Sequence, residues 1–325
     1  MVKIVLGLLA GLVLFLYGVT HMSDGLRAVA GDRMKRILGR FTTNRFAGVL
    51  TGTVATTILD SSSVTIIMVI AMVNAGVLTF VQSLGVILGS NIGTTVSSQI
   101  IAFEVDEYAP LALVAGFVMH MLGKTERQKQ IGSIVLGIGL IFFGLGQMGN
   151  AVEPLRDHRP VLDLLARLES PWLGVLIGAA LTVLIQSSSA TLGIVITLAS
   201  QGLITLPAGI AVMLGAEIGT CADTLIATVG RSREAVRAGV FHLLFNVTTV
   251  IAGVLFVEQF TRLALRISGG ADVARQIANA HMLFNVLGVL AFIGLTPLIA
   301  RALQWLIPDS RAARRPALEP SSVAT

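Results

Sequence analysis

The chain has 325 residues, 54% of them apolar and only 13% charged, with a formal net charge of +5. A soluble domain carries about 25% charged residues. Several apolar stretches here reach the roughly 18 residues of a membrane-crossing helix, which excludes a soluble globular domain and points to a polytopic helical membrane protein. The basic balance then reports membrane topology rather than nucleic-acid binding, and a single cysteine, Cys221, excludes an intrachain disulfide framework.

Ile4–Tyr17 is the first apolar run, with one lysine before it and no small-residue cleavage site after it, so it reads as a retained span. "SDGLRAVAGDRMKRILGRF" follows, where Leu26, Val29, Met34, Ile37, Leu38 and Phe41 form one apolar face, as in a helix lying at the membrane interface. Phe46–Gly76 is too short for two crossings and a turn, which need roughly 40 residues. The economical reading is a re-entrant hairpin: Phe46–Leu59 enters, the polar run Asp60–Ser63 turns near the midplane, and Val64–Ala75 returns. Such a tip is tolerated only where protein or a wet cavity meets its backbone. Thr79–Phe103 contains "GSNIGTT", whose paired glycines suggest an unwound break, and Tyr108–Gly123 is a further span.

The same order of parts returns 126 residues later. Gly48–Ser98 lies on Gly174–Thr224 without a gap, with 19 of 51 positions identical. Shared composition does not hold glycines and serines in register, so the chain is a duplicated unit. Its second copy reads as a span at Gly132–Met148, a polar stretch, a second hairpin at Pro171–Gln201 and a broken span at Thr205–Val229 containing "GAEIGTC". Ala235–Phe260 closes it, and a last span, Ala278–Ile307, has no partner. The expected organisation is a first repeat over 1–126, a second over 127–260, a loop and last span over 261–309, and a disordered tail over 310–325.

Three crossings per repeat is an odd number, so the second repeat enters the membrane inverted. The expected fold class is an all-α polytopic membrane protein: an inverted-topology repeat with two re-entrant hairpins and broken helices meeting at mid-membrane, an architecture of transporters. One side of this topology receives 16 of the lysines and arginines and the other 7. The richer side is cytoplasmic, which puts the N-terminus outside the cell membrane and the C-terminus inside.

Chemistry concentrates at the two tips. Ser61, Ser62 and Ser63, and again Ser187, Ser188 and Ser189, stand where a returning half-helix begins. Serine caps a helix N-terminus, and the first backbone N–H groups there have no intrahelical partner. Two such termini converging make a partly positive site rich in donors, suited to a small oxyanion. Oxygens from the two glycine-flanked segments, with Asn91, Thr94, Glu217 and Thr220, could hold a hard cation.

At these residues the sequence resembles the sodium/phosphate cotransporter family, the type II group with bacterial members. That family carries a doubled "QSSS", each copy on a re-entrant hairpin and followed by "G-x-N-I-G-T". The resemblance covers about Ile4–Ile307. It implies sodium-coupled transport of inorganic phosphate by alternating access, with phosphate between the tips. Gln186, Ser187, Ser188 and Ser189 match the second motif and Ser61, Ser62 and Ser63 the first. Asn91, Gly93 and Thr94 match the first "NIGT", and Gly219 and Thr220 the second. The expected phosphate-binding set is therefore Ser61–Ser63 with Gln186–Ser189. The expected sodium-binding set is Asp60, Thr65, Asn91, Thr94, Thr191, Glu217 and Thr220, with no transition metal and no cofactor beyond sodium. The expected partners are phosphate, sodium and the lipid bilayer.

Two positions depart from the family pattern. Asp60 stands where it has glutamine, and Glu217 where it has asparagine. Ionised carboxylates repel a dianionic phosphate, but they recruit cations, carry a proton, or accept a hydrogen bond from protonated phosphate. The alternatives are a proton-coupled or cation-modified transporter of another small anion, and an intramembrane hydrolase using a triplet serine. Duplication argues against the hydrolase, because a nucleophile is needed once. "HLLFN" at His242–Asn246 and "HMLFN" at His281–Asn285 place His and Asn on one helical face, which suits interhelical hydrogen bonding.

Overall fold

The computed structural model describes residues 1–42, 44–103 and 106–309. Every regular element in them is helical. The first repeat comprises α1 (Val2–Arg40), the hairpin α2 (Arg45–Leu59) and α3 (Ser62–Asn74), then α4 (Phe80–Ile101) and α5 (Ala109–Leu122). The parts return as α6 (Glu126–Val152), a short α7 (Arg159–Ala166), and the hairpin α8 (Pro171–Ile185) and α9 (Ser188–Ser200). After these come α10 (Leu206–Gly219) with its continuation α11 (Cys221–Ile226), and α12 (Arg233–Leu255). Two short helices, α13 (Val257–Ile267) and α15 (Thr296–Leu306), flank the apolar α14 (Val273–Ile293). Six helical segments are long and apolar enough to cross a membrane, or seven if the segments 159–169 and 171–185, bent by 101°, form one span. The tail at 310–325 lies outside the described residues.

The two hairpins are built alike. Their first arms have 15 residues and their second arms 13. At 1.5 Å per residue an arm is about 20–22 Å long, short of a hydrocarbon core of about 30 Å. The first arm ends at Asp60 and its counterpart at Gln186, with φ of 51° and 58°. They are the two non-glycine residues with positive φ among the described residues. This left-handed conformation costs a side-chain-bearing residue about 1–3 kcal/mol and persists where surrounding structure imposes it. Below each tip a threonine pair supplies such a brace: Thr56 and Thr65 hydroxyls meet at 2.9 Å, and Thr182 and Thr191 at 2.8 Å.

The glycines glue helices together. A Cβ on Gly89 of α4 would lie 2.0 Å from the Val49 carbonyl oxygen of α2, and one on Gly52 of α2 would lie 2.2 Å from the Val86 oxygen of α4. Their counterparts repeat the contact, with Gly178 2.0 Å from the Val212 oxygen and Gly215 2.1 Å from the Val175 oxygen. Small residues on one face let backbones approach this closely in lipid.

That packing overturns one expectation. Gly89 and Gly93 do not break the first "GSNIGTT" span: α4 is continuous over 22 residues. Its glycines face α2, where a Cβ on Gly93 would touch Thr56 at 2.6 Å, so they serve contact and leave the backbone ladder intact. The second span is interrupted, at Thr220 between α10 and α11. The separate interfacial helix expected after the first span is likewise absent, because α1 runs unbroken for 39 residues. No proline interrupts it, whereas Pro154 and Pro160 divide the equivalent stretch of the second repeat. The closing and last spans also shift: α12 stops at Leu255, and the final apolar helix is Val273–Ile293 followed by a separate α15.

Candidate functional site

The two hairpin tips, 126 residues apart in sequence, line one cavity of about 310 Å³. Asp60–Ser63 form one part of its wall and Gln186–Ser189 another, with Thr94 of α4 and Thr220 between α10 and α11. All seven residues expected to bind the anion are therefore brought together. At each tip the chain turns from a left-handed residue into an extended serine and then a helix. The Ser61 hydroxyl oxygen accepts from the Val64 N–H at 3.2 Å, and the Ser187 oxygen accepts from the Ala190 N–H at 3.1 Å. Each cap uses one N–H of its helix. The N–H groups of Ser62, Ser63, Ser188 and Ser189 have no intrahelical acceptor, and their residues line the cavity.

Of the residues expected around a cation, Asp60, Thr94 and Thr220 reach the cavity. Asp60 Oδ1 accepts a hydrogen bond from the Ser97 hydroxyl. Thr65 and Thr191 lie fully buried below the tips, where each also donates to the carbonyl of its capping serine, at 3.0 and 3.2 Å. Asn91 is buried within α4 and donates to the Ile87 carbonyl at 2.8 Å.

Glu217 is off the cavity wall, in a buried polar cluster between helices. Ser98 donates its hydroxyl to the Thr95 carbonyl at 2.8 Å, so its oxygen is free to accept from His281 Nδ1, also at 2.8 Å. His281 Nε2 then faces Glu217 Oε1 at 2.8 Å, and Asn285 Nδ2 donates to the same oxygen at 2.8 Å. The other histidine motif forms a neutral counterpart. His242 Nδ1 meets the Thr224 hydroxyl at 2.9 Å, and Asn246 Nδ2 donates to His242 Nε2 at 2.9 Å. Interhelical hydrogen bonding, read from the two motifs, is what both histidines do.

Sequence reasoning missed one wall of the cavity. Thr20, Ser23, Asp24 and Arg27 of α1 line it, and Arg27 Nη1 lies 3.5 Å from Asp24 Oδ1. The signal is a polar stripe at i, i+3, i+4 and i+7, which is one face of a helix. Ser97 was missed too, since nothing in "VSSQ" distinguishes it from its neighbour.

Long apolar helices around a polar, donor-rich cavity are the build of a multi-pass membrane transporter. The chain belongs to the Na+/Pi-cotransporter family, whose model matches residues 14–150 and, a second time, 158–296. It is similar to "Uncharacterized protein YqeW" of Bacillus subtilis (strain 168), 34% identical over 306 residues, covering 94% of this chain and 99% of that one. It is 25% identical over 305 residues to "Putative inorganic phosphate export protein YjbB" of Salmonella typhimurium, covering 94% of this chain and 56% of that one, so it spans about half that relative's length. A shorter stretch of 132 residues, 37% of this chain and 19% of the relative, is 36% identical to human "Sodium-dependent phosphate transport protein 2B". No solved structure matches.

Proposed function

We propose that the chain is a sodium-coupled secondary transporter of inorganic phosphate, working by alternating access, with phosphate held between the two tips. The observation that carries this reading is the convergence of two serine-capped helix N-termini on one cavity. Backbone N–H groups, serine hydroxyls and the Gln186 amide supply the donors a tetrahedral anion needs. The Thr94 and Thr220 hydroxyls supply neutral oxygens for sodium beside it. Two relatives are named for inorganic phosphate export and for sodium-dependent phosphate transport, which supports the substrate and the coupling ion. Flux of radiolabelled phosphate into proteoliposomes, with and without a sodium gradient, tests it. Ser62→Ala and Ser188→Ala are each expected to weaken apparent phosphate affinity about tenfold or more, the worth of one hydrogen bond to a charged group. Wild-type affinity in both variants removes the tips from the site.

In this reading the hairpins are re-entrant and the repeats are inverted, with the N-terminus outside and the C-terminus cytoplasmic. Arm lengths too short to cross support the first point, and the 16-to-7 distribution of basic residues supports the orientation. A cysteine at Asp106 is expected to react with an impermeant thiol reagent from outside, and one at Lys124 only from the cytoplasmic side. The native Cys221 is buried and gives a low background. The opposite labelling pattern reverses the orientation and leaves the repeat intact.

A further inference from the structure

Asp60 and Gln186 occupy equivalent positions: the same left-handed turn, the same place before a capping serine, and the same cavity. They differ in what they offer an anion. An amide presents N–H donors, whereas an ionised carboxylate presents acceptors alone. Oδ1 of Asp60 already takes the Ser97 hydroxyl, and no other hydrogen bond from the described residues reaches its carboxylate. Two other charged side chains line the cavity, Asp24 and Arg27, and they pair with each other at 3.5 Å. Asp223 stands against Ser63 outside the cavity wall and adds no positive charge. The Asp60 carboxyl is thus left without a cationic partner among the described residues, in a space otherwise built to receive an anion.

A fully ionised oxyanion, such as sulfate or selenate, brings acceptors and negative charge to that carboxylate, with no proton to place between them. Hydrogen phosphate and hydrogen arsenate keep an O–H at neutral pH. They can direct it at Asp60, converting a repulsive contact into a charge-assisted hydrogen bond. We propose that Asp60 makes the cavity selective for tetrahedral oxyanions that carry a proton, by accepting the hydrogen bond from that proton, while Gln186 and the serine tips take the ionised oxygens. This rests on the assignment of the cavity as the anion site and adds to it which anions are refused. A polar group that loses its only partner discriminates far more strongly than a mismatch of shape.

The test is displacement of radiolabelled phosphate from the purified full-length chain in sodium-containing buffer at neutral pH. Arsenate and sulfate are the competitors, applied to the wild type and to Asp60→Asn. Asparagine tolerates the left-handed turn well, and the amide of Gln186 occupies its counterpart, so the variant keeps the geometry. In the wild type, arsenate is expected to displace phosphate about as well as phosphate itself, and sulfate to be weaker by about a hundredfold or more. Asp60→Asn is expected to lose about tenfold in phosphate affinity and gain about tenfold for sulfate, a gain that a misfolded variant cannot give. Sulfate matching arsenate on the wild type overturns the proposal and leaves the phosphate site standing. So does an Asp60→Asn variant with unchanged anion preference but lost sodium dependence, which would make Asp60 a cation ligand. Failure of the wild type to hold phosphate or arsenate at all overturns the site assignment and this proposal together.

Discussion

His281→Ala is expected to destabilise the chain by about 3–5 kcal/mol, the cost of stripping one partner from a buried ionisable pair. Glu217 is 7% exposed and His281 1%, and Asn285 is the one other side chain that donates to the Glu217 carboxylate among the described residues. Alanine leaves that carboxylate with half its bonds and opens a void where the ring stood. His242→Ala, at a site just as buried, breaks bonds only to neutral Thr224 and Asn246. Its expected cost is smaller, about 1–3 kcal/mol. Replacing Glu217 and His281 together by leucine is expected to recover part of the single-variant loss, because no unpaired charge remains. Thermal unfolding of the three variants in detergent orders them. Equal melting of His281→Ala and wild type would show that the carboxylate does not depend on the ring.

Gly89→Val has the other large expected effect. Its first side-chain carbon falls 2.0 Å from the Val49 oxygen and 2.9 Å from the Thr53 nitrogen, both backbone atoms that cannot rotate away. The two helices must separate along their length, at a cost above the usual 1–3 kcal/mol of overpacking. Little monodisperse protein is expected on size-exclusion chromatography. Gly294→Ala is the control: its φ is −67° and nothing lies within 4 Å of the added carbon, so yield and melting should match the wild type. Normal yield of Gly89→Val would contradict the packing of α2 on α4.

These variants also mark where sequence reading succeeds. The repeat was legible because glycines and serines kept their spacing through an apolar background. The division of Phe46–Gly76 into two short helices around the polar run was legible from chain length, and the structure gives arms of 15 and 13 residues. The break in the first "GSNIGTT" was misread because glycine carries two meanings, a weak helix former and a close-contact residue, and sequence alone does not say which neighbour it meets. The pairing of Glu217 with His281 joins residues 64 apart on different helices. One sequence holds no record of such a contact, so the acid was assigned to the cavity with Asp60. Ser23, Asp24 and Arg27 of the α1 stripe were visible but were absorbed into an interfacial helix, because Leu26, Val29, Met34, Ile37, Leu38 and Phe41 form one apolar face there.

The contacts between glycine faces also dictate the molecule's mechanics. Gly11 and Gly18 of α1 meet Gly144 and Gly137 of α6, where an added Cβ would lie 2.6–2.7 Å from the facing carbonyl oxygen, a looser contact than α2 on α4 or α8 on α10 but still too close for a side chain. Helices locked backbone to backbone cannot slide by a turn without driving side chains into main chain. Each pair therefore behaves as a single beam, and deformation is left to the joints between beams. Three of these joints, the left-handed residues 60 and 186 and the interruption at Thr220, lie on the wall of the same cavity. An anion bridging the tips would load these three joints directly, with no lever in between.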